Sequence, residues 1–136
     1  MNIKKKKEFK ILIVDDEESI VNFLKATMED EGFNVLQSTS AGDALEICDK
    51  NHPHLVMLDL RMPSMDGIEV LKKIREKDPE KNILVILISA YGAELGESDR
   101  QVMDEMDVKD FIPKGVSLFE AKERIFKVIQ EKYKIS

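Results

Sequence analysis

Asp15, Asp16, Asp59, Ser89 and Lys114 are the residues of this 136-residue chain best suited to chemistry, and each ends or directly follows a short apolar run. If those runs are neighbouring strands, three carboxylates, a hydroxyl and an ammonium converge on one rim. Two carboxylates about 4 Å apart repel by about 4 kcal/mol at an effective dielectric of 20, so three together need a cation. A hard divalent ion with oxygen ligands answers that need, and Mg²⁺ keeps positions for water and a phosphate oxygen. Asp59 is the best nucleophile, because the turn Met62-Pro63-Ser64-Met65-Asp66-Gly67 follows it. Its attack on phosphorus gives an acyl phosphate. Lys114 and Ser89 would then donate to the phosphoryl oxygens. Singly, such an Asp is an ordinary helix cap and such a Lys is solvated. Five of them at the ends of successive runs are a site.

The elements that must position them are short apolar runs alternating with longer amphipathic ones. Ile11–Val14, Phe33–Leu36, Leu55–Leu58, Ile83–Ile88 and Asp110–Ile112 read as strands, with Ile83–Ile88 central and covered on both faces. Ile20, Leu24 and Met28 recur at helical spacing and Gly32 closes that helix. Ser40 with Asp43, and Ser117 with Glu120, open two more helices as capping pairs. Ile68, Leu71 and Ile74 mark another, stopped near Asp78-Pro79. A weak acidic helix falls within 97–106, and the last helix turns Leu118, Ala121, Ile125, Val128 and Ile129 inward. Five β–α units predict an α/β fold with one parallel sheet and helices on both faces. In that architecture ligands bind at the carboxyl ends of the strands.

Composition narrows the classes. The length suits one domain and is too short for two catalytic ones. The net charge is −6 although the first ten residues hold five Lys, so the body is more acidic still and would repel a nucleic-acid backbone. No apolar stretch approaches the roughly 20 residues of a membrane span, and no signal peptide follows the leading lysines. Cys48 is the only cysteine. These features predict a cytoplasmic protein with a basic tail over 1–8 and one domain over 9–134. His52 and His54 suit a surface turn better than a metal site, because no third ligand stands nearby.

Four quotable pieces, Ile13-Val14-Asp15-Asp16-Glu17, Leu58-Asp59-Leu60-Arg61-Met62-Pro63 with Asp66-Gly67, Ile88-Ser89-Ala90 and Phe111-Ile112-Pro113-Lys114, together resemble the receiver domain of two-component response regulators. The resemblance covers about residues 9–132. It implies a flavodoxin-like, doubly wound sheet of five parallel strands in the order 2-1-3-4-5 with five helices. It implies that Asp59 accepts a phosphoryl group from a sensor histidine kinase or phosphotransfer protein and so switches a face for a downstream effector. By the same resemblance Asp15, Asp16, Asp59 and the Arg61 carbonyl bind Mg²⁺, Ser89 and Lys114 hold the phosphoryl group, and Ser89 and Phe111 form the switch. Arg61 and Tyr91 would tune hydrolysis.

The chain departs from the family pattern in four places. Gly115 stands where proline usually follows the lysine in a cis bond, Asp107-Val108 replaces Gly-Ala, the segment from Ser89 to Lys114 is longer, and Phe111 replaces tyrosine. A cis bond before a non-proline residue costs about 2.5–4 kcal/mol, so a trans Lys114–Gly115 bond is expected, with Gly115 turning the chain at positive φ. Competing readings are an aspartate-nucleophile phosphohydrolase, a flavin mononucleotide binder and a receiver-like interaction domain that does not use phosphorylation. Arg61 where the hydrolase needs a second acid argues against the first, and four consecutive acids from Asp15 to Glu18 argue against the second. The intact acid cluster argues against the third.

Overall fold

A computed structural model of the chain describes residues 2–3, 5–62, 65–90 and 95–135. Pro63, Ser64 and the Tyr91–Glu94 stretch, which include the tuning candidate Tyr91 and part of the long loop, lie outside the described residues. The elements are β1 (Asn2–Ile3), β2 (Lys10–Val14), α1 (Glu18–Asp30), β3 (Asn34–Ser38), α2 (Ala41–Asn51), β4 (Leu55–Asp59), β5 (Arg61–Met62), β6 (Met65–Asp66), α3 (Gly67–Lys77), β7 (Leu84–Ser89), α4 (Glu97–Glu105), β8 (Val108–Pro113), α5 (Leu118–Lys132) and β9 (Lys134–Ile135). The main sheet is parallel, ordered β3-β2-β4-β7-β8, which is 2-1-3-4-5 counted over its five strands. This is the flavodoxin-like order.

Strand alternation builds two cores. Ile11, Ile13, Met57, Ile86 and Ile88 face one layer, where Val21, Leu24 and Met28 of α1 meet Ile125, Val128 and Ile129 of α5. Leu12, Val14, Val56, Leu58, Val85 and Leu87 face the other, against Ala44 and Cys48 of α2 and Val70, Leu71 and Ile74 of α3. Each strand shows alternate side chains to opposite faces, so a run apolar at every position must be covered on both. β4 and β7 are buried along their whole length. Burial pushes the Cys48 thiol up to about 11, so it is an inert packing group.

Local chemistry sets the helix ends. Ser40 Oγ accepts from the Asp43 N–H, Asp66 Oδ1 from the Ile68 N–H and Ser117 Oγ from the Glu120 N–H, each satisfying a first-turn donor. Gly32 ends α1 at φ +99°. Leu118 departs from its expected inward place and is 38% exposed. It opens α5 just past the end of β8 and lines an apolar groove between α1 and α5.

The two-residue pairs were not anticipated. β1 pairs in parallel with β9, and β5 with β6 antiparallel. Beside the first pair, the Phe9 ring packs on Phe33, His54 and Tyr133, and the Lys6 ammonium lies 5.7 Å from the Phe33 ring centre and 3.7 Å from Glu31. His54 Nδ1 accepts the Lys10 N–H at 3.0 Å, and burial lowers the imidazole below its ordinary range. That nitrogen is committed to the backbone.

Candidate functional site

Asp59 is the last residue of β4 and Ser89 the last of β7, while Asp15 follows β2 and Lys114 follows β8. Parallel register therefore brings them to one rim: Val14 lies beside Leu58, Asp59 beside Ile88, and Ser89 beside Pro113. Backbone hydrogen bonds continue the sheet beyond its strands. The Asp15 N–H donates to Ser38 O at 3.1 Å, Leu60 N–H to Ile88 O at 2.9 Å and Lys114 N–H to Ser89 O at 2.6 Å. Asp15, Asp59 and Ser89 are buried, and Asp16 is half-buried.

Four of the side chains come together, those of Asp15, Asp16, Asp59 and Lys114. Lys114 Nζ lies 2.9 Å from Asp15 Oδ2 and 3.3 Å from Asp59 Oδ2, and Asp15, Asp16 and Asp59 each offer an oxygen within 4.8 Å of the others. Asp15 Oδ1 accepts the Glu17 N–H and Asp59 Oδ1 the Arg61 N–H, so each carboxylate is held by the turn after its strand. The remaining Asp15 oxygen, Oδ2, is buried and has no hydrogen bond; its approach to Lys114 is an ion pair outside hydrogen-bond geometry. A buried oxygen facing two further carboxylates suits a cation. Burial raises the Asp59 carboxyl to about 6; the Arg61 N–H opposes this and the Asp15 charge adds to it. Burial alone would lower the Lys114 ammonium, yet its carboxylate partners outweigh that and raise it.

Two contacts went unread in the sequence. Glu17 Oε1 lies 3.0 Å from Lys114 Nζ. Gly67 opens α3 against the end of β4, where an added Cβ would stand 2.5 Å from Asp59 O and 2.7 Å from Leu60 Cα. Its place beside Asp66 was visible, but not that close approach. Phe111 is separate from the ion-paired group: half-buried on β8, it packs, like Met103, Met106 and Val108, against the core on the α2–α3 side of the sheet. Arg124 of α5 grips that strand, donating to both Asp110 oxygens and to Phe111 O.

The Lys114–Gly115 bond is trans, as expected; no described bond is cis. Gly115 does not adopt positive φ, contrary to expectation, because Val116 N–H donates to Pro113 O and closes a turn that needs only negative φ. Asp107 instead takes the left-handed conformation, at φ +56°.

The model of the response regulator receiver domain matches residues 11–126. The chain belongs to that family. This receiver is 45% identical over 83 residues to sporulation initiation phosphotransferase F of Bacillus subtilis, covering 61% of the chain and 65% of that protein. It is 33% identical over 121 residues to the alkaline phosphatase synthesis transcriptional regulatory protein PhoP of the same organism, covering 89% of the chain and 48% of PhoP. It thus spans about half of PhoP and just under two thirds of the phosphotransferase. Among solved structures, a CheY-like receiver domain protein from Methanospirillum hungatei JF-1 superposes with a TM-score of 0.80 at 26% identity, covering 90% of this chain and 94% of that one. The CheX–CheY–BeF₃–Mg complex of Borrelia burgdorferi gives 0.77 at 33% identity, covering 89% of each chain. The receiver is thus a two-component signalling module rather than a classical enzyme, with an acid cluster able to hold a metal ion. Among the described residues no helix is long and apolar enough to cross a membrane.

Proposed function

We propose that Asp59 is the phosphoacceptor of this receiver and takes its phosphoryl group from a phosphohistidine of a sensor kinase or phosphotransfer protein. The observation behind this is the meeting of Lys114 Nζ with the buried Asp15 and Asp59 carboxylates at the strand ends. A bond forms between an Asp59 oxygen and phosphorus, the donor's P–N bond breaks, and the imidazole leaves with that pair. Asp59 is fixed for this by the Arg61 N–H and by the turn into α3. Lys114, already within 3.3 Å of Asp59, donates to a phosphoryl oxygen, and Ser89 at the end of β7 supplies a hydroxyl.

Asp15, Asp16 and Asp59, with the Arg61 carbonyl, would hold Mg²⁺, which when bound neutralises charge developing on the transferred group. The Borrelia relative's complex with BeF₃ and Mg supports that choice of ion. The donor has a landing surface beside Lys114: Ile20, Phe23, Val116 and Leu118 line an apolar groove between α1 and α5, and Phe23 is 50% exposed. Ser89 and Phe111 carry the response toward the α4–β8–α5 face and an effector yet unidentified. Residues 9–134 form the receiver unit, the basic segment over 1–8 folds back onto it through β1 and Lys6, and the protein works in the cytoplasm.

Incubation with acetyl phosphate and Mg²⁺ adds one phosphoryl group by intact mass, and neither the Asp59→Asn variant nor the chelated protein is modified. Persistence of the adduct in Asp59→Asn overturns the assignment.

A further inference from the structure

Lys114 has three ammonium protons and three carboxylate neighbours: Asp15 at 2.9 Å, Glu17 at 3.0 Å and Asp59 at 3.3 Å. Three carboxylate oxygens thus crowd the resting ammonium, those of Glu17 and Asp59 by hydrogen bond and Asp15 Oδ2 by ion pair alone. A phosphoryl oxygen must compete with these partners for the ammonium, and the one most easily moved gives way. Asp15 and Asp59 are buried and anchored by backbone N–H groups at the ends of strands. Glu17 is on a longer side chain, and that side chain is 51% exposed.

The geometry points to Glu17 as the resting partner that the incoming phosphoryl group displaces from Lys114, and hence as a brake on phosphorylation. This rests on Asp59 being the phosphoacceptor. Glu17 acts through Lys114 and is a positioning residue; it touches no reacting atom. When the phosphoryl group arrives, the Glu17 carboxylate swings into solvent and Lys114 exchanges one oxygen partner for another. The exchange sets part of the barrier.

Phosphoramidate with saturating Mg²⁺ tests this by intact mass. In that reaction an Asp59 oxygen bonds to phosphorus, the P–N bond breaks, and the already protonated nitrogen leaves as ammonia. Glu17→Gln is expected to speed phosphorylation roughly two- to fivefold, the worth of an ion pair with one exposed partner, while its Mg²⁺ affinity by calorimetry stays within about twofold of the parent. Glu17→Asp keeps the charge but is one methylene short of Lys114, and is expected to match Glu17→Gln. In a Lys114→Gln background the Glu17→Gln gain is expected to vanish. An unchanged or slower rate in Glu17→Gln, a parental rate in Glu17→Asp, an equal gain in both backgrounds, or a loss of Mg²⁺ affinity with Glu17 each overturn the inference. Parent protein that takes no phosphoryl group overturns the phosphoacceptor reading itself, so the two failures are distinct.

Discussion

Burial raises the Asp59 carboxyl to about 6 from an ordinary 3.8, so in metal-free solution its charge works against the fold. The folded state holds the proton more tightly, and that stabilisation is complete below about pH 4 and lost as pH rises through about 6. Asp59→Asn is therefore expected to unfold later than the parent in chelator at pH 7, by on the order of 2 kcal/mol, with the gap closing toward pH 4 in urea titrations. Two glycines make a second contrast. Gly67→Ala drives a Cβ into the backbone of Asp59 and Leu60, costing about 1–3 kcal/mol and slowing acetyl-phosphate labelling because the nucleophile moves. Gly115 has nothing within 4 Å of an added Cβ and no positive φ, so Gly115→Ala gains about 0.4–1 kcal/mol by restricting the unfolded chain. Asp15, Asp59, Ser89 and Lys114 were legible because strand ends can be read from apolar runs. Glu17 was not, because the reach of a flexible side chain leaves no trace in spacing.

Among the elements, β4 and β7 were plain as unbroken apolar runs, and Ser40 and Ser117 announced α2 and α5 through their caps. β1, β5, β6 and β9 have two residues each, too few for any periodicity to show. The start of β8 explains a departure from family pattern. Asp107 occupies the left-handed region at φ +56°, which a glycine enters freely and an aspartate tolerates, and its carboxylate pairs with Lys109 at 3.1 Å. Asp107→Val is expected to cost about 2 kcal/mol, since a β-branched residue strains there, whereas Asp107→Gly stays within about 1 kcal/mol of the parent in thermal unfolding.

Across the whole molecule, one buried cation ties the far end of the sheet together. Arg75 of α3 donates to Met106 O, Ile83 O, Asp107 O and Asp78 Oδ2, linking α3, the approach to β7 and the turn from α4 into β8. Arg75→Met strands those acceptors and is expected to cost about 3 kcal/mol in urea unfolding, while acetyl-phosphate labelling at the opposite rim continues. Arg75 looked in the sequence like any surface arginine on an amphipathic helix; only packing reveals that it points inward. Strand order likewise came from family resemblance, because alternation predicts a parallel sheet but not its permutation. The pairing of β1 with β9 sets Asn2 beside Lys134 and Ile3 beside Ile135. Asn2 and Lys134 are therefore about one strand spacing apart, near 4.8 Å, and the two strands run the same way. A bridge from Ile135 to Asn2 must double back along this parallel pair, a span that about four flexible residues cover. Such a circularised chain could be reopened at the exposed Pro79-Glu80 turn, placing new ends between α3 and β7 and leaving the acidic rim intact.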